Sequence, residues 1–153
     1  SEDFEGRVML LDFWLTSCIG CIGATPKLNR LQARFRDRGF SIVSFNQDPG
    51  EEAEVLRFME ERQIRYPVIM DSEDPSIAER FGVFAFPAEI LVGRDGKIYA
   101  AHRRPATEEQ LAREIEALLG SGSGDQIAVQ TDTGRAEVDP VVSQCVPSRA
   151  TCS

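Results

Sequence analysis

Histidine occurs once in this chain, as His102, and that scarcity makes a histidine-based metal site or a cysteine-histidine hydrolase hard to build. His102 itself reads as a partly exposed residue near a strand end. No apolar run approaches the roughly 20 residues that span a bilayer, and no basic start followed by an apolar stretch marks a signal peptide. Positive charge is also short. Seventeen lysines and arginines against 25 acids give a net charge of −8, which argues against nucleic acid or another phosphate-rich partner. Neither G-x-x-x-x-G-K nor G-x-G-x-x-G occurs, so nucleotide binding has no support. The chain opens at Ser1 rather than Met and so reads as a processed or excised piece, whose missing start has room for a signal or an anchor. Compartment is therefore not decided by the lack of one here.

What remains is an ordinary globular composition, 42% hydrophobic and 27% charged over 153 residues, enough for one domain. Val8 to Phe13 reads as a buried strand, and from Cys18 the pattern turns helical, with Leu28, Leu31 and Phe35 on one face and Gly39 as the stop. Pro26 lies inside that helix and should kink it. Phe40 to Phe45 is a second strand, ended by the turn Asp48-Pro49-Gly50. A helix over Glu51 to Arg62 should bury Val55, Phe58 and Met59, and Tyr66 to Met70 is a short strand. Asp74-Pro75 reads as cap and first residue of a helix striped by Ile77 and Phe81 and ended by Gly82. Ala88 to Val92 and Lys97 to Ala101 form a hairpin across Gly93-Arg94-Asp95-Gly96. The last helix opens on a capping box, Thr107 and Gln110, carries Leu111, Ile115, Leu118 and Leu119, and closes at Gly120.

This order of elements describes an α/β layered domain. Its early strands should be parallel with right-handed crossovers and its late hairpin antiparallel, in a mixed sheet with helices on both faces. The domain occupies 1–120. Residues 121–124, Ser-Gly-Ser-Gly, are a flexible linker, and 125–153 is a polar tail, poorly structured or a short hairpin about Asp132-Thr133-Gly134.

Four cysteines occur, and two of them, Cys18 and Cys21, stand three apart directly after the first strand. The first would lie at a helix N-terminus, where unpaired N–H groups and the helix dipole favour a thiolate, the reactive form of cysteine. That is the geometry of thiol-disulfide exchange. Lowering a thiol pKa from about 8.5 to about 7 needs roughly 2 kcal/mol, which a helix terminus can supply. No Lys, Arg or His occurs between Thr16 and Thr25, so helix geometry must provide most of it. The lack of a cation beside Cys18 favours a reductant over a strong oxidant. Cys18 is the expected attacking thiol and Cys21, one turn on and facing inward, the resolving one. Buried Cys21 needs a base, and Asp12 in its apolar strand is the candidate, against the plainer reading of an aspartate paired with a surface cation.

With Asp12-Phe13-Trp14 six residues before Cys18, Pro26 eight after it, and Phe86-Pro87 just before the late strand, the chain resembles the thioredoxin superfamily. The stretch 51–70 and the segments Gly-Val-Phe-Ala-Phe-Pro (82–87) and Gly-Arg-Asp-Gly-Lys-Ile (93–98) look more like its TlpA/ResA branch. The resemblance covers about 5–120 and lacks the family's usual N-terminal hairpin. It implies a thioredoxin-like three-layer α/β/α fold with a central mixed sheet and a protein-disulfide oxidoreductase without cofactor or metal. It implies catalytic Cys18, Cys21 and Asp12, and a cis Pro87 that aims the Phe86 backbone at the sulfurs. Phe86, Pro87 and Trp14 would line a substrate groove, although core packing serves Trp14 as well. The implied partners are protein thiols or disulfides and an upstream electron donor or acceptor. The implied setting is extracytoplasmic, with a monomeric chain and a membrane tether, where there is one, outside this chain. Ser17, Ile19-Gly20, Ala24 and Ser44 depart from the family pattern, and they bear on redox poise and substrate choice.

Other readings stay open at this point. A peroxiredoxin-like thiol peroxidase would place Pro and Thr upstream of its cysteine, and these are missing. A zinc or copper module is the reading from a different class; related copper chaperones space their cysteines by three residues, not two. Cys145 and Cys152 in the tail are by default a structural or incidental pair, with electron transfer to Cys18 or a four-cysteine zinc site as alternatives.

Overall fold

The structure is a computed structural model that describes residues 4–50, 52–72 and 74–120. The expected linker, the tail and the tail cysteines lie outside the described residues.

Five strands form one sheet in the order β3-β2-β1-β4-β5, with β1 Val8–Trp14, β2 Phe40–Asn46, β3 Val68–Met70, β4 Ala88–Val92 and β5 Ile98–His102. β1, β2 and β3 run parallel, whereas β4 pairs antiparallel with β1 and β5 antiparallel with β4. The expected mixed sheet is therefore present. Strand alternation assigns the faces, because successive side chains point to opposite sides. Val8 and Leu10 of β1 join Leu28, Leu31 and Phe35 of helix α1 (Ile19–Phe35) and Leu111 and Ile115 of helix α4 (Glu108–Gly120) in one core. Leu11 and Phe13 point the other way, into a core with Ala78 of the short helix α3 (Ile77–Arg80). A third cluster joins Trp14 and Cys21 to Val55 of helix α2 (Glu52–Glu61) at the C-terminal end of the parallel strands. Phe58 and Met59 pack against it but stay partly exposed.

Several local expectations are corrected. β3 starts at Val68: the Pro67 carbonyl accepts the Ser44 N–H at 2.9 Å, but Pro67 has no N–H to give in return, and Tyr66 turns into the α1/α4 core. The Asp74–Pro75 peptide is cis, and α3 begins two residues later on a cap at Ser76. There Ser76 Oγ accepts the Glu79 N–H and Glu79 Oε2 accepts the Ser76 N–H at 2.9 Å, a reciprocal box. Asp71 supplies what Asp74 was expected to: its carboxylate accepts the Ile77 and Ala78 N–H groups at 2.7 and 2.9 Å. α4 shows half of its expected box. The Gln110 N–H donates to Thr107 Oγ1 at 3.1 Å, but the Gln110 side chain turns to Glu114. α1 continues through Pro26, whose ring faces solvent, and ends in a single 3-10 turn, Arg36–Arg38, before the left-handed Gly39 (φ 92°).

Candidate active site

The site begins with the loop 15–17 that carries the chain from β1 into α1. Asp48, just past β2, holds that loop: its carboxylate accepts the Thr16 N–H at 2.8 Å and the Thr16 hydroxyl at 3.0 Å. Buried Asn46 steadies Asp48 in turn, donating from its side-chain amide at 2.7 Å and accepting the Asp48 N–H at 3.0 Å. Sequence reading treats Asp48 only as a turn residue. Its second role follows from the parallel pairing of β1 and β2, which brings their C-terminal ends side by side.

Cys18 is the N-cap of α1, with extended backbone (φ −82°, ψ 106°), and its Sγ accepts the Cys21 N–H at 3.2 Å. One of the orphan amides of the first turn is thus aimed at the Cys18 sulfur. No acidic residue stands in that turn to oppose a thiolate. Cys18 and Cys21 form a disulfide with 5.2 Å between their Cα atoms. Cys18 is partly exposed and Cys21 is buried, so an incoming thiol has its access through Cys18.

The Phe86–Pro87 peptide is cis. Pro87 is buried against the cysteine turn: its Cδ lies 3.3 Å from where a Cβ on Gly20 would stand. Glycine between the two cysteines is what lets the ring sit that close. Phe86 is half-buried and touches both the α3-side core and the cluster around Cys21. Trp14 is buried in that cluster, its ring 5.0 Å from Phe58. The apolar side chains that do reach solvent here are Ile19, within the cysteine turn and 86% exposed, and Phe84, three residues before Pro87 and 81% exposed. Ile19 is one of the departures from the family pattern noted above, whereas the exposure of Phe84 is not written in its residue type.

Asp12 sits on the sheet face that carries α1, two positions before Trp14, and is buried. Its carboxyl pKa is pushed up from 3.8 to about 7, chiefly by burial. The Ser44 hydroxyl donates to Oδ2 at 2.8 Å and works against that rise, a neighbouring Glu89 adds to it, and Lys27 opposes it. The plainer reading of Asp12, pairing with a surface cation, does not hold: Ser44 is its hydrogen-bonding partner and is fully buried. A Ser44→Ala variant removes a donor to the charged form. It should raise the Asp12 midpoint by up to about one pH unit. Carboxyl 13C NMR titration of the oxidised protein would check this, and an unmoved or lowered midpoint would contradict it. His102 ends β5 and contacts Glu114 through Nε2 at 2.8 Å, away from the cysteines and half-buried, close to its expected placement.

Comparison with known proteins agrees with this geometry. The Redoxin family profile matches residues 1–119. The thiol-disulfide oxidoreductase ResA of Bacillus thuringiensis subsp. konkukian is 28% identical over 117 residues, which are 76% of this chain and 66% of the relative. The chain thus spans just under two thirds of that protein's length. A candidate thiol:disulfide interchange protein DsbE from Chlorobium tepidum superposes with a TM-score of 0.71 at 31% identity, covering 78% of this chain and 84% of the other. The thioredoxin domain of a thiol-disulfide oxidoreductase from Bacteroides vulgatus gives 0.67 at 29% identity, covering 78% and 84%. The fold is thioredoxin-like.

Proposed function

We propose that this chain, which belongs to the Redoxin family, is a protein thiol-disulfide oxidoreductase working through Cys18 and Cys21. The observation that carries the reading is the partly exposed Cys18 at the helix cap, its sulfur accepting a backbone N–H and joined to a buried partner one turn away. In the reducing direction the Cys18 thiolate attacks a substrate disulfide, forming a mixed disulfide and expelling one substrate thiolate. Cys21 then gives its proton to Asp12 and attacks the Cys18 sulfur, releasing the second substrate thiolate and restoring the Cys18–Cys21 disulfide. The substrate gains two electrons and the enzyme loses two, which an upstream thiol donor must return. Run backwards, the same steps oxidise a substrate dithiol. The uncharged surroundings of Cys18 favour the reducing direction.

Phe86 and Pro87 border the substrate's path to Cys18, with Trp14 as the floor beneath Cys21. The relatives named for thiol-disulfide exchange support protein thiols as the substrate class, and with it an extracytoplasmic place of action, where such exchange persists.

Equilibration against graded glutathione buffers tests the reading. A single two-electron transition confined to Cys18 and Cys21, with a measurable potential, is expected. Peroxide consumption without dithiol cycling would point to the peroxidase alternative, and stoichiometric zinc or copper on the reduced protein to a metal module. Either result would overturn the proposal.

A further inference from the structure

A polar row crosses four of the five strands on the α1/α4 face. Register places Ser44, Asp12, Glu89 and His102 side by side on β2, β1, β4 and β5, with the apolar Val68 of β3 beyond Ser44. At its centre, Asp12 has the Ser44 hydroxyl on one side and a second carboxylate, Glu89, directly opposite on the other. Glu89 is fully buried. Lys27, reaching down from α1 one and a half turns beyond Cys21, places Nζ 2.7 Å from Glu89 Oε1 and donates a hydrogen bond to the Ala106 carbonyl. The Ala106 N–H donates to Glu89 Oε2 at 3.2 Å. The Lys27 ammonium, with three N–H groups, thus faces both Glu89 Oε1 and the Ala106 carbonyl. Burying an ion pair is costly, and apolar residues of similar volume are often at least as stable in its place. Stability is therefore a poor reason for this pair, and its location beside Asp12 is a better one.

We propose that Glu89 and Lys27 are positioning residues for exchange: a buried carboxylate and a largely buried ammonium that set, from one side of the polar row, how tightly Asp12 holds its proton. The inference rests on the exchange reading, in which Asp12 takes the Cys21 proton. Glu89 makes Asp12 a stronger base, and Lys27 holds that effect in check. The other groups facing Asp12 are Ser44, its hydrogen-bond donor from β2, and Tyr66 before β3, whose hydroxyl is kept neutral by burial and by the two carboxylates. His102 is occupied by Glu114 on α4. The sequence signal was available but mute: Glu89 interrupts an apolar strand as Asp12 does, and nothing in the sequence says that the two strands align them.

The test follows Asp12 by carboxyl 13C NMR titration in the oxidised protein, beside the pH profile of mixed-disulfide resolution in single-turnover stopped flow. Glu89→Gln should move both midpoints down by about one pH unit, and Lys27→Met should move them up by a similar amount. Glu89→Gln/Lys27→Met should return most of the way, and it avoids the lone buried charge that threatens folding of the Lys27 variant. Loss of a purely structural contact would lower stability without shifts of opposite sign. Unmoved midpoints, or shifts in the same direction in both single variants, would overturn the proposal. Shifted titration in a protein that never cycles its dithiol would instead sink the exchange reading while leaving the charge coupling in place.

Discussion

Cys18→Ser should abolish disulfide turnover, by on the order of 10³-fold or more in an insulin-reduction assay, because a serine hydroxyl neither ionises near neutral pH nor forms the mixed disulfide. Cys21→Ser fails differently. The Cys18 sulfur keeps its place at the α1 cap, so the first attack proceeds, but nothing remains to release the substrate. One equivalent of substrate should stay bound, visible as an intact-mass adduct that dithiothreitol removes. The asymmetry is the informative part. An adduct that forms in Cys18→Ser and not in Cys21→Ser would reverse the assignment that exposure gives the two sulfurs.

The second large effect belongs to Asp12. Asp12→Asn should slow resolution of the mixed disulfide by roughly 10²-fold while sparing the initial attack. It should also remove a pH dependence of resolution centred near 7. A stability effect of opposite sense accompanies it. The carboxyl titrates near 3.8 in the unfolded chain and near 7 in the folded one, so between these values the native state binds the extra proton. The stabilising contribution is complete below about pH 4 and is lost as pH climbs through about 7. A shift of this size is worth on the order of 4 kcal/mol. Asparagine carries no charge to bury. The oxidised variant should therefore lose this decline and gain stability over wild type at pH 8, up to about that amount, by urea denaturation. A variant that is slower and less stable at pH 8 would mean that Asp12 holds the fold rather than a proton.

The layered architecture was legible because its signals are local: apolar runs for β1, β2 and β4, helical stripes, and the cysteine pair at a strand-to-helix junction. Asp12 was legible because a carboxylate inside Leu10-Leu11-Asp12-Phe13 conflicts with its surroundings and the family resemblance gave the conflict a use. Glu89 presents the same conflict in Ala88-Glu89-Ile90-Leu91, but no motif drew attention to it, and only strand register shows what it faces. Lys27 carries no signal of its own in the sequence, since its reach to a buried carboxylate depends on how α1 lies over β4. The start of α3 was misplaced for a related reason. Asp74-Pro75 has the right residue types for a helix cap, yet Ser76 with Glu79 and a remote Asp71 satisfy the same amides. Where two local solutions compete, sequence alone has no means of choosing.

The place of β1 in the sheet has one more consequence. It has a neighbour on each side, and the cysteine turn is strung from its end by way of Thr16 and Asp48. The amides of β1 should accordingly be among the slowest to swap hydrogen for deuterium, opening only when the entire domain comes apart. Repeated cycles of making and breaking the sulfur bond would then leave the foundation untouched.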